Sequence, residues 1–237
     1  MSHFPFQKLQ VDLTNLIASM PAESQLPSEP ALAKNLGVSR ATLREAMRSF
    51  ETQGMIRRKQ GVGTFVVGEV PVIDSGLEVL ESIETLANRI GLGVSTGSIK
   101  IELLPANEEI AEELTISIGA IVTRVSRVIF TDGRPVAYLV DTLPETTLSR
   151  DDIQTGFNGS VLDLLLTRGF PRLTNSRTEI NAINASSEVA HFLDIQRADV
   201  LLHFKANLVD STGKVVDHSL SYFLPGYFSF HVNRRVG

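Results

Sequence analysis

The 237-residue chain contains no cysteine. That excludes a disulfide framework, a thiol nucleophile and any thiolate metal site, and it fits a reducing compartment. No apolar run approaches the roughly 20 residues that a membrane-spanning helix needs, and no leader is recognisable. The expectation is therefore a cytoplasmic protein with no membrane partner. Neither an internal repeat nor a low-complexity tract is evident. Catalytic signatures are missing too. The five histidines (His3, His191, His203, His218, His231) form no HExxH motif, and the chain has no G-x-S-x-G and no phosphate-cradling glycine loop. Only His203 and His218 look able to meet, across neighbouring strands. No nucleophile, base and orienting group assemble, so no enzyme, no cofactor and no metal are expected.

Positive charge is also scarce, but unevenly so. The whole chain carries 22 Lys/Arg against 27 Asp/Glu, a net −5. Residues 1–68 hold eight Lys/Arg and five acids, a net +3, which leaves −8 for the rest. A basic head on an acidic body suits a protein that offers one part of its surface to nucleic acid.

The basic head is organised by Leu26–Val67. Ser28 caps a helix in which Leu32, Ala33 and Leu36 share a face, and Gly37 ends it. Ser39 caps a second helix, whose Leu43, Met47 and Phe50 recur at i, i+4, i+7. Two helices joined by a short glycine-containing turn are a helix-turn-helix pattern. On the opposite face of the second helix Arg40, Arg44 and Arg48 recur every four residues, planar cations suited to phosphate or to the acceptor edge of guanine. Ser39 and Thr42 add short hydrogen-bonding groups near the helix N-terminus, where the dipole favours phosphate. The bland alternative for the arginines is a solvated helix face. After Gly54 a basic strand, Arg57-Arg58-Lys59-Gln60, leads through Gly61-Val62-Gly63 into Thr64-Phe65-Val66-Val67, a hairpin or wing. Upstream, Pro5–Met20 is expected to form a helix with Leu9, Leu13, Leu16 and Ile17 on one stripe.

With these motifs in place, LPSE…LGVSR.T.R.A…R..G.GTFV resembles the winged helix-turn-helix domain of the GntR family of bacterial transcription regulators. The resemblance implies DNA contacts at Ser39, Arg40, Thr42 and Arg44, and in the wing at Gln60, Gly61, Gly63 and Thr64; Arg48 completes the arginine row. Pro30 replaces an arginine common in the family, and Ala41 a polar residue, so the operator sequence does not transfer.

Residues 69–76 read as a linker and 77–237 as a second domain. Leu77–Ile90 has a helical stripe. Ser98–Leu104 alternates like a strand, and Asn107–Leu114 reads as a helix. Ala120–Thr131 and Arg134–Leu143 are strands about the Asp132-Gly133 turn. Ser160–Arg168 is a helix, Thr174–Ala185 a strand, Ser186–Leu193 a helix. Val200–Asp210 and Val215–Phe223 are strands about Ser211-Thr212-Gly213, and Tyr227–Asn233 closes the chain. The sum is α+β, with an antiparallel sheet. The order of these elements, with the DG.P turn, the LP strand end and the GS..DLL helix, resembles the UTRA effector domain of the HutC branch of the GntR family, with a chorismate-lyase-like fold. That resemblance implies a homodimer, a double-stranded operator and a small-molecule effector held by Arg127, Ser160, Asp217 and Phe223. Arg127 would meet an anionic group, Ser160 would offer a helix N-terminus, and Asp217 would accept hydrogen bonds. Ile129 and Leu139 replace polar family residues, which argues against a phosphosugar. Each position has a plain structural alternative: Ser160 as a helix cap, Asp217 as an exposed turn residue beside Lys214, Arg127 paired with a carboxylate across the strands. A protein-binding second domain, or a lyase-like enzyme, are the competing functions.

Overall fold

The computed structural model describes residues 3–59, 61–67, 73–157 and 159–234. Predicted site residue Gln60, Gly68 and residues 69–72 of the expected linker lie outside the described residues. The chain divides into two compact units, Met1–Val72 with Leu224–Tyr227, and Ile73–Phe223 with Phe228–Gly237.

The first unit is three helices and a hairpin: α1 (His3–Ser19), α2 (Glu29–Leu36), α3 (Arg40–Thr52), β1 (Ile56–Lys59) and β2 (Gly63–Val66). The apolar stripes meet as expected. Leu9, Leu13 and Ile17 of α1, Leu32 and Ala33 of α2, and Leu43, Met47 and Phe50 of α3 form one core with Ile56 and Val66. Each large side chain withdrawn this way favours folding by about 1.5–3 kcal/mol. Gly37 stops α2 in the left-handed conformation (φ 67°). Ser28 occupies the expected N-cap position, yet its hydroxyl makes no cap hydrogen bond. Pro30, two residues on, has no N–H to offer it.

The second unit is a six-stranded antiparallel sheet with helices on both faces. Its strands are β4 (Val94–Pro105), β5 (Ile121–Thr131), β6 (Arg134–Pro144), β7 (Leu173–Asn184), β8 (Val200–Asp210) and β9 (Val215–Phe223), in the order β4-β5-β6-β9-β8-β7. On one face α5 (Glu108–Leu114) packs Ile110, Ala111 and Leu114 against Val122. On the other, α7 (Val161–Arg168) packs Val161 and Leu165 against Val125, Leu143 and Leu208. Beside the large sheet, β3 (Ile73–Gly76) pairs in parallel with β10 (Phe228–His231).

Three features differ from the sequence reading. The helix expected over Leu77–Ile90 is only α4 (Ile83–Arg89). Ser82 takes its N-cap, with Oγ accepting from Thr85 N at 3.0 Å, and Leu77 N donates instead to His231 O at 2.9 Å. Leu77 and Leu80, expected on a buried stripe, are therefore exposed. A helix that the sequence reading does not include, α6 (Arg150–Gly156), starts with a capping box between Ser149 and Asp152.

The third difference is an internal repeat. Strand, helix, strand, turn, strand occurs twice, as β4-α5-β5-β6 and as β7-α8-β8-β9, with α8 at Ser187–Leu193. N-caps Asn107 and Ser186 stand 79 residues apart, as do left-handed residues Thr115 and Asp194. Buried Ala106, Ala111, Leu114 and Val122 correspond at the same offset to Ala185, Ala190, Leu193 and Leu201. The two copies meet through β6 and β9 at the centre of the sheet. So few positions carry the repeat that identity along the sequence does not reveal it.

Candidate DNA-reading surface and effector cavity

In the first unit, α3 presents two chemically distinct faces. Leu43, Ala46, Met47 and Phe50 are buried, while Ser39, Arg40, Ala41, Thr42 and Arg44 are exposed. Ser39 caps the helix: its Oγ accepts from Thr42 N at 3.1 Å and lies 2.8 Å from Thr42 Oγ1. The two hydroxyls are thus fixed together at the helix N-terminus, where unpaired backbone N–H groups attract anions. Arg40 has no ion-pair partner among the described residues. Arg44 pairs through Nε with Glu29 Oε2 at 2.7 Å, and Arg58 approaches the same carboxylate at 3.6 Å. Arg48 is half-buried and pairs with Glu45 one turn back. Pairs this exposed are weak, commonly under about 1 kcal/mol, so a phosphate can replace Glu29 at Arg44 at little cost.

The wing is built around two glycines. Gly61 (φ 73°) and Gly63 (φ 145°) both need conformations that side chains disfavour. A Cβ on Gly63 would also overlap the Gln25 amide, which donates to Val62 O at 2.9 Å and ties the tip to the body. Lys59 Nζ sits 5.0 Å from the centroid of Phe65. Thr64 departs from the expected exposure. It is buried, and its carbonyl accepts from Leu26 N at 2.8 Å at the base of the wing.

In the second unit, one face of the sheet floors a cavity of about 450 Å³. Side chains alternate along a strand, so Leu139 and Asp141 of β6, Asp217, Ser219, Ser221 and Phe223 of β9, and Phe204, Ala206 and Leu208 of β8 point into it together. Arg127 of β5 stands at one end; Leu162 of α7, residues 75–83, and Asn175, Ser176, Thr178 and Ile180 of β7 add to the wall. Three of the four predicted effector residues therefore converge: Arg127, Asp217 and Phe223. Ser160 is not among the lining residues. It is buried and caps α7, with Oγ accepting from Asp163 N at 3.2 Å.

Arg127 is 5% exposed and surrounded by acid. Its Nη1 donates to Asp141 Oδ2, and its Nε lies 3.6 Å from Glu84 Oε1 on α4. Burial acts to discharge the guanidinium, and Asp141 and Glu84 overcome it and hold the positive charge. Asp217 is no exposed turn residue. It is 6% exposed, and its carboxyl accepts the Thr142 backbone N–H while Oδ1 has no partner. Burial first, then the charge of Asp141, pushes its pKa well above the ordinary carboxylate range. Burial likewise raises Glu84. Phe223 packs against Phe204, Phe228 and Phe230 with centroids 4.7–5.2 Å apart. His203 and His218 do not meet: their cross-strand partners are Tyr222 and Asn207.

Sequence reasoning does not find Asp141 and Glu84. A two-residue turn at Asp132-Gly133 puts Arg127 opposite Tyr138, but a bulge between Ile129 and Phe130 moves the register to Arg127↔Leu139. One residue of slip exchanges the faces of the strand, and it is this slip that brings Asp141 onto the face of Arg127. Glu84 is hidden because the apolar stripe begins at Leu77, well before the helix does at Ile83.

Comparison with known proteins agrees with both halves. Residues 7–66 match the family model "Bacterial regulatory proteins, gntR family", and residues 89–229 match the UTRA domain. The chain is 25% identical over 223 residues to the HTH-type transcriptional repressor NagR of Bacillus subtilis, covering 94% of this chain and 89% of that protein. It is 29% identical to the histidine utilization repressor of Pseudomonas putida, over 78% of this chain and 73% of the relative. The crystal structure of PhnF from Mycobacterium smegmatis shares the fold, with a TM-score of 0.65 at 22% identity over 97% of this chain and all of the other. The chain belongs to the GntR family of bacterial regulatory proteins: it is a DNA-binding transcription regulator with a UTRA effector-binding domain and is not an enzyme.

Proposed function

We propose that the chain is a cytoplasmic repressor that binds a near-palindromic operator as a homodimer, with α3 of each subunit in the major groove. Ser39, Arg40, Thr42 and Arg44 read or clamp the duplex, Arg48 lends charge at the edge, and the wing contributes Gln60, Gly61 and Gly63. Thr64 completes the wing's contacts. A small molecule bound in the cavity of the second unit controls operator affinity through residues 69–76, the proposed linker between domains 1–68 and 77–237. It needs only to bind one arrangement of the dimer a few kcal/mol better than the other. The observation that carries the DNA reading is the exposed Arg40 and Arg44 on a helix whose opposite face is core. An anionic effector is what the sequence suggests for Arg127; with Asp141 and Glu84 already on that guanidinium, the whole cavity sets the charge of the ligand.

Selection of duplexes from a randomised pool by the full chain tests the DNA reading. Two half-sites about one helical turn apart are expected, and Arg44→Ala should weaken binding to the selected duplex. A pool with no enriched sequence at low salt would overturn it.

A further inference from the structure

Among the described residues the cavity is lined by more acidic than basic side chains. Its charged lining groups are four carboxylates (Glu78, Glu81, Asp141, Asp217) and one guanidinium, Arg127. Glu81 is matched by Arg89 at 2.7 Å, and Glu78 accepts the Asn233 backbone N–H. Asp163, on the neighbouring helix α7, is held by Ser82 Oγ at 2.7 Å. Arg127 is claimed by Asp141 and Glu84. Asp217, nine-tenths buried, lines the cavity, and its Oδ1 has no hydrogen bond, as is true of both carboxylate oxygens of Glu84 beside Arg127. An ionised carboxylate without a partner is costly to bury, so Asp217 favours its protonated form, and a ligand that supplies a cationic donor lets it ionise. Further along the same floor the lining is aromatic, Phe204 and Phe223 with Phe230 packed on them, and their ring faces attract cations. The volume suits a small organic molecule.

We infer that the effector is an organic cation, an amine, amidine or guanidinium on an apolar body, with its charged head on Asp217 Oδ1 and its body against the phenylalanines. This rests on the reading of the cavity as the effector site. An anionic head would find Arg127, the one cationic lining group among the described residues, already held by Asp141 and Glu84. The raised Asp217 adds a linkage. The charged groups beside it are Arg127 on β5 and Asp141 on β6; Glu84 on α4 stands beside Arg127, and Glu78 and Glu81 line the same cavity. A cation favours ionised Asp217, so binding releases a proton and strengthens as pH rises.

Isothermal titration of the full chain with phenethylamine, phenethyl alcohol and phenylacetate tests this, because the three share a body and differ in charge. The amine should bind about tenfold or more tightly than the alcohol, and its affinity should rise from about pH 6 to about pH 8. Asp217→Asn, which keeps the shape, should erase both the preference and the proton release, with a loss of about tenfold to hundredfold. The cavity-filling variant Ala206→Trp should abolish binding. Preference for phenylacetate, or equal binding of all three, overturns the inference and leaves the cavity as the site if Ala206→Trp still blocks it. Silence from all three at millimolar concentration also overturns the inference. Amine binding that survives Ala206→Trp overturns the cavity reading itself.

Discussion

Arginine does opposite work in the two units. Arg40 and Arg44 stand on the surface of α3, one unpaired among the described residues and one paired to a carboxylate with its side chain 54% exposed. Arg127 is 5% exposed and surrounded by Asp141, Glu84 and Asp217. The first pair offers charge outward to whatever arrives. The buried one spends its charge inside the fold, and what it offers a ligand is the acid left unmatched around it. An arginine row therefore predicts an anionic partner only where the local carboxylates leave the cations unsatisfied.

Four changes put that contrast at risk. The largest effect is expected from Arg127→Met, which strands Asp141 and Glu84 in the interior. A loss of about 3–5 kcal/mol in urea unfolding is predicted, and unchanged stability would mean that the pair is not structural. Arg44→Ala should do the reverse. Stability should move by no more than about 0.5 kcal/mol, while affinity for a selected duplex falls by about 1–3 kcal/mol in fluorescence anisotropy. Gly63→Ala should cost about 1–2 kcal/mol, because it strains a left-handed residue and meets the Gln25 amide. Hydrogen exchange of the wing amides should quicken accordingly, whereas Gly61→Ala, with open space around its Cβ, should cost less.

The smallest effect concerns pH. Asp217 and Glu84 are acids with folded pKa values raised, chiefly by burial. The folded state therefore binds more protons than the unfolded chain above the ordinary carboxylate pKa of about 4. Their contribution is fullest at low pH and is lost as pH rises through that window. Asp217→Asn should raise the melting temperature most on the alkaline side and flatten its pH dependence. An equal shift at all pH values would show that Asp217 binds protons alike in the folded and unfolded chain, so that its folded pKa is not raised.

Legibility in the sequence differs between the units for physical reasons. The first is nearly transparent, because each element announces itself locally: Ser39 as cap, Gly37 as stop, the Leu43–Met47–Phe50 stripe as core. Thr64 escapes, since its burial depends on the segment at Gln25 and Leu26 covering the wing. In the second unit strands and turns are legible, but relations between them are not. The bulge near Phe130 that sets Arg127 beside Asp141, the parallel pairing of β3 with β10 and the twofold repeat of the sheet all depend on register between distant segments. Arg127, Asp217 and Phe223 stand out through resemblance to a family, and that resemblance carries no information about Asp141 or Glu84. The capping box at Ser149 is a local signal, readable in the sequence, that the strand-by-strand reading of this region leaves unused.

The most direct test is the salt dependence of duplex binding by the full chain, compared with an Arg40→Ala, Arg44→Ala double variant. Much weaker binding by the variant is expected, and the slope of log affinity against log salt should be shallower by about one for each phosphate that the variant no longer neutralises. An unchanged affinity and slope would contradict the central claim, because the exposed arginines of α3 would then not be the residues that hold DNA.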